Sequence, residues 1–254
     1  MGPLVDYPLL VFVVSFVVMW FSAWLGPFLR RRLELHESVR DDFGLILAAT
    51  LTLLGLIIGF SFSMAVNRFD QRKNLEEAEA NAIGTEYVRA DLLPAADGAK
   101  VRTLLKGYLD QRIQYYVTRD LEEVREIDVL TARLQRDLWS AIRAPAKANP
   151  TPVIALVVSG MNDVLNAQGY TQAAWWNRIP AAAWILMLAI AVCCNVLVGY
   201  RAHSFRQEAV VLLVLPLVVS ISFFLIADID SPRGGLIRVV PQNLVALAVS
   251  LRAP

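Results

Sequence analysis

The chain has 254 residues, 56% of them hydrophobic and 19% charged, with a net charge of +1. A charged share below the ~25% usual for soluble domains excludes an ordinary water-soluble enzyme composition. The near-neutral balance offers no basic field for nucleic acid. Two adjacent cysteines, Cys193 and Cys194, lie inside an apolar run, which suits neither a structural disulfide nor a metal knot.

Four uncharged stretches follow one another along the chain: Pro8 to Leu29, Phe43 to Val66, Ile179 to Tyr200 and Ala209 to Ala227. A bilayer core of roughly 30 Å needs about 20 apolar residues in a helix, and each run meets or nearly meets that length. Four buried core helices in so short a chain would leave too little polar surface to cover them, so the runs are read as membrane spans. The first has no basic residue before it and no small-residue cleavage pattern after it, and Arg30, Arg31 and Arg32 close it. It is expected to stay in the mature protein. Tyr7, Trp175, Trp176 and Tyr200 suit interfacial anchoring. Pro180 falls near the first turn of the third span, and Pro216 inside the fourth predicts a kink.

Residues 67–178 differ in character. They read as amphipathic helices punctuated by Pro94, by Asp97-Gly98 and by Pro145 to Pro152. Leu104, Leu105, Tyr108, Leu109, Ile113 and Tyr116 recur at helical spacing, and so do Val124, Ile127, Leu130, Leu134, Leu138 and Ile142. Thr151-Pro152 predicts a cap and first-turn proline for a further helix through Leu165. No proline occurs from Asn67 to Leu93, so the second span is expected to continue into this segment as one helix. The expected organisation is thus two spans over 1–66, a soluble helical domain over 67–178, two more spans over 179–230 and a tail over 231–254.

Arg30, Arg31, Arg32, Arg40, Arg201 and Arg206 flank one side of the spans, and Arg68, Arg72, Lys73, Arg178, Arg233 and Arg238 the other. Equal numbers leave the orientation undecided. His36 and His203 have no partner at ligand spacing, and Ser38 and Ser204 have no nucleophile context, so no catalytic residue, metal site or cofactor is expected. The spans carry no carboxylate or histidine, which argues against proton-driven transport. Asn195 is read as an interhelical hydrogen-bonding residue, and Ser61 and Ser63 as back-bonding or pore-lining groups.

Three motifs carry a resemblance. Gly59, Phe60, Arg68, Phe69 and Arg72, at the end of the second span, resemble the second membrane helix of bestrophins. Asp230-Ser231-Pro232-Arg233-Gly234 is similar to the Asp-Pro-Phe-Gly turn of that family. The stretch from Glu79 to Pro94 resembles the bacterial family known as bestrophin-like.

The resemblance implies an all-α protomer with a helical domain between the second and third membrane helices, assembled as a homo-oligomer, by family habit a pentamer. It implies a bacterial inner membrane protein, with the soluble domain and both termini in the cytoplasm, that passes small inorganic ions along a central pore lined by the second helix. Carried over, the pore neck falls on Thr52, Leu56 and Phe60, flanked by Ser63, Met64 and Arg68. Rings of Leu56 and Phe60 would gate by dewetting, and Thr52 departs from the family's isoleucine or aromatic. Arg68 either forms a ring that favours anions or pairs with Asp70, Glu76 or a neighbouring subunit. Calcium activation is not expected, because only Asp228 and Asp230 precede Arg233 where animal bestrophins carry an acidic run. The competing readings are a non-conducting scaffold or signalling module and, without a site to support it, an enzyme acting on lipid.

Overall fold

A computed structural model describes residues 6–32, 37–202 and 209–252. His36, His203 and Ser204 lie outside the described residues. Every element among them is helical: α1 Pro8–Arg32, α2 Glu37–Arg89, a single 3-10 turn Ala90–Leu92, α3 Ala95–Val117, α4 Leu121–Ala148, α5 Pro152–Trp176, α6 Ala181–Arg201, α7 Ala209–Asp230 and α8 Gln242–Arg252.

Four stretches are long and apolar enough to cross a membrane, within Pro8–Arg30, Phe43–Leu92, Pro152–Arg201 and Leu212–Asp230. In the second the uncharged run ends at Val66, so the rest of α2 exceeds what a bilayer needs. In the third the uncharged run belongs to α6. The chain divides into two compact units, one of residues 1–68 and 178–238, the other of 69–177 and 239–254. Residues up to Arg68 of α2 belong to the first unit and those from Phe69 to the second. The helix has no break from Glu37 to Arg89, as the absence of proline predicts.

In the first unit α1 packs on α6 and α7. Met19 and Ala23 are wholly buried, and Phe12 meets Phe224 edge to face at 6.4 Å between centroids. The α1 and α6 backbones touch where Gly26 and Gly199 meet. A Cβ on Gly26 would lie 2.3 Å from the Gly199 carbonyl carbon, and one on Gly199 would lie 2.0 Å from the Ala23 oxygen. Small residues serve this purpose in hydrocarbon, where helices gain by close backbone approach and not by leaving water. Asn195, read as interhelical, instead donates to the Ala191 carbonyl of its own helix at 2.8 Å. The helix α7 runs through Pro216.

In the second unit the core is built by Val101, Leu105, Tyr108 and Leu109 of α3, Ile127, Leu138 and Ile142 of α4, Val157, Met161 and Val164 of α5, and Leu244 of α8. Leu130, on the expected inner face of α4, is 45% exposed. Thr151 caps α5 through Oγ1, which accepts from the Ile154 N–H, and Pro152 sits in the first turn. That helix continues to Trp176, past the expected Leu165. Asp97-Gly98 does not interrupt the chain but lies in the first turn of α3, and Pro145 is absorbed in the last turn of α4. The expected tail over 231–254 contains the helix α8.

Substituting Gly199→Leu drives a side chain into the α1 backbone. It is expected to cost at least about 1–3 kcal/mol, read as a lower melting temperature of the detergent-solubilised protein; an unchanged melting curve would refute the close crossing.

Candidate functional site

The apolar run of α2 has a narrow buried line, Leu54, Ser61 and Ala65, and a broad exposed one. Each expected neck and flanking residue up to Met64 lies on the exposed side. Leu56 is 53% exposed, Phe60 63% and Met64 39%, and Thr52 and Ser63 are exposed as well. The Thr52 hydroxyl donates to the Ala48 carbonyl one turn back at 2.8 Å, so its polar group is satisfied within the helix. Four-residue steps advance the helix by about 40° past a full turn, so Thr52, Leu56, Phe60 and Met64 form a slowly winding stripe. Beside it run Gly55 and Gly59, where an added Cβ would meet nothing within 4 Å. The helix thus presents bulky apolar groups on one line and bare backbone on the next.

Arg68 departs from this stripe. Its side chain is 16% exposed, and Nη1 lies 3.8 Å from Oδ1 of Asp230, a wholly buried carboxylate at the end of α7. The sequence reading named Asp70, Glu76 and a neighbouring subunit as partners and missed this one. Both Asp230 oxygens also accept from the Ile179 N–H, at 3.3 and 3.1 Å, and Arg178 Nε stands 3.5 Å away. Arg178 Nη2 in turn donates to Asp6 at 2.5 Å. Next along the chain, Asp228 accepts from the Leu236 and Ile237 N–H groups at 2.7 and 2.8 Å, and Ser231 Oγ accepts from the Gly234 N–H. The Asp-Ser-Pro-Arg-Gly turn is held by these backbone hydrogen bonds. Among the described residues no group of three His, Cys, Asp or Glu side chains converges as metal ligands would.

The second unit buries a different set of charges. Arg112 pairs through Nε and Nη2 with Glu79, both side chains wholly inaccessible, and Tyr116 Oη and Thr171 Oγ1 also donate to the Glu79 carboxylate, at 3.4 and 3.2 Å. Arg112 lies over the Tyr115 ring at 4.5 Å. Burial and the adjacent Glu79 charge push the Tyr116 and Tyr108 hydroxyls well above the usual tyrosine range. Arg72 donates to the carbonyls of Ala174 and Asn177, satisfying the C-terminal end of α5. Glu76 accepts from the Leu244 N–H and Asn243 at the start of α8. The periodicity of α2 flags none of these residues as buried; their role emerges only once the distant helices are in place.

Glu86 is the exception in this set. It is wholly buried, and neither carboxylate oxygen has a hydrogen-bond partner among the described residues. It lies against Gly160 of α5, where a Cβ would come 2.1 Å from Oε2. Burial pushes its pKa up to about 8, with Arg89 opposing and Asp163 reinforcing the rise. Because the folded value exceeds the ordinary 4.5, the folded state holds a proton that the unfolded state has lost. Stability from this group is complete below about pH 4.5 and falls as pH rises toward 8. The Glu86→Gln variant is expected to flatten this fall and to be more stable than wild type at pH 8 by up to a few kcal/mol, measured by denaturation across that range. A variant that keeps the wild-type slope would rule Glu86 out as its source.

Comparison with known proteins follows the same outline. The family described as Bestrophin-like domain matches residues 9–244. No curated protein is similar enough to match. Among solved structures, a bacterial bestrophin homologue from Klebsiella pneumoniae is similar at 16% identity and a TM-score of 0.64, over 94% of this chain and 95% of that one. A single-substitution variant of a bacterial bestrophin homologue from Klebsiella pneumoniae is 15% identical with a TM-score of 0.63, over 96% and 97% of the two chains. At such identity the likeness is one of fold.

Proposed function

The chain belongs to the bestrophin-like family, and from that premise we propose that it is the subunit of an ion channel: a homo-oligomer, by family habit a pentamer, with the second helix lining a central pore. The observation that carries this reading is the uncovered stripe of α2. In one protomer Leu56 and Phe60 stand exposed beside Gly55 and Gly59, where an added Cβ would meet nothing within 4 Å. Two glycines four residues apart in an apolar helix let another helix approach closely. A ring of α2 helices packed along the glycine line would turn Leu56 and Phe60 toward the axis.

Rings of these side chains would hold a narrow, poorly wetted constriction, with Thr52 making a wetter level and Ser63 and Met64 bordering it. The conducted species are small inorganic ions. Anions are favoured to the extent that the Arg68 charge outlasts its pairing with Asp230. Reconstitution into planar bilayers tests the proposal. Wild-type protein is expected to give single-channel steps, and Phe60→Ala to raise unit conductance several-fold by widening and wetting the neck. Silence across salt and voltage ranges would count against conduction.

One observation favours a second reading, a membrane-embedded signalling module. The 53 residues of α2 form one uninterrupted helix, which suits transmission as well as pore lining. Silent bilayers together with an oligomer lacking a central opening would favour it.

By the same family premise the membrane is the bacterial inner membrane, with residues 69–177 on its cytoplasmic side. Protease added to inverted vesicles should cut between Thr118 and Leu121, where α3 gives way to α4, and should spare that site in spheroplasts; the reverse pattern would invert the topology.

A further inference from the structure

Resting on the channel reading, we infer that Asp230 determines ion preference by withholding the Arg68 charge from the pore face. Arg68 and Arg178 are countered by Asp230 and Asp6, through contacts of 3.8, 3.5 and 2.5 Å. A cation whose counter-charge lies this near projects a dipolar field that decays faster with distance than that of a free charge.

Helix geometry points the same way. Seven residues make nearly two turns, so Asn67 lies about 20° from the Phe60 direction, whereas Arg68 lies about 80° from it. Asn67 is exposed, and Arg68 is largely covered. The residue below Phe60 on the conducting face is therefore a neutral amide, with the guanidinium set 3.8 Å from the carboxylate at the end of α7 as an ion pair without a hydrogen bond. Asp230 can hold it there because the Ile179 N–H fixes both carboxylate oxygens from the start of the third span. In an oligomer the same arrangement repeats in every subunit, so loss of one carboxylate per chain would uncover a ring of positive charge.

The test is the reversal potential of single channels under a sodium chloride gradient. Asp230→Asn keeps an oxygen for the Ile179 N–H but removes the charge. It is expected to raise the chloride-to-sodium permeability ratio by roughly threefold or more. Adding Arg68→Gln in that background should abolish the gain, and its effect there should be much larger than the effect of Arg68→Gln alone. A ratio unmoved by Asp230→Asn, or a gain that survives Arg68→Gln, would overturn the inference while leaving the channel standing; wild-type protein that carries no current overturns both.

Should Asp230→Asn fail to assemble, thiol accessibility decides. With Cys193 and Cys194 replaced by serine, a cationic thiosulfonate reagent should modify current through Asn67→Cys channels faster than through Arg68→Cys channels. Equal rates would place Arg68 on the pore face and refute the assignment.

Discussion

Within hydrocarbon a backbone N–H has no water to turn to, so each apolar run must close its own hydrogen bonds as a helix and then find something to lie against. Three of the four runs find it inside one protomer: α1 packs on α6 and α7, with Gly26 and Gly199 admitting backbone contact. The run within α2 buries only a narrow line, and several of its large side chains, Leu53, Leu56, Phe60, Phe62 and Met64, stay uncovered. What covers that helix decides what the protein is. Membership in the bestrophin-like family and the glycine line beside Phe60 both favour other copies of the same helix.

Charge is handled by a single rule in both units. A carboxylate or guanidinium removed from water must be met by a partner or by backbone groups, since an uncompensated buried charge costs several kcal/mol. Glu79 with Arg112, Arg72 with the carbonyls of α5, Glu76 with the start of α8 and Asp230 with Ile179 all obey it. Among the described residues Glu86 finds no hydrogen-bond partner, and burial instead pushes its pKa up to about 8, toward the protonated form. Such groups tie helices that are far apart in sequence, which makes them joints of the fold more than chemistry for a substrate.

Much of this organisation can be read from the residues. Uncharged length alone identifies the apolar runs, the Thr151-Pro152 step marks the start of α5, and the spacing of Leu105, Tyr108, Leu109, Ile127, Leu138 and Ile142 picks out side chains that are buried. Punctuation is read less well. Pro145 looks like a break but sits in the last turn of α4, where it forfeits the bond its N–H would make to the residue four back while only three residues of helix remain. Gly98 looks like a turn but is a place of close approach, where a Cβ would lie 2.4 Å from the Ala90 carbonyl oxygen. Partners are read worst. A buried arginine and a solvated one share the same letter, and the acceptor of Arg72 and the ion-pair partner of Arg68 lie more than a hundred residues away.

The exposed stripe of α2 was legible in its spacing, whereas the neighbour of Arg68 was not. Four-residue spacing places Thr52, Leu56, Phe60 and Met64 together, and all four are exposed. Extending the series to Arg68 overlooks both the drift of about 40° at each step and the carboxylate waiting beside α7. A single residue step separates the glycine line from the bulky stripe by about 100°, so the two can serve different neighbours. A helix meant only for lipid has no need of this division, and it gains nothing from bare backbone at Gly55 and Gly59 or from an uncovered Ser63 hydroxyl. In the proposed channel the helix packs against its own copies on one side and borders water on the other, an arrangement that would use all three.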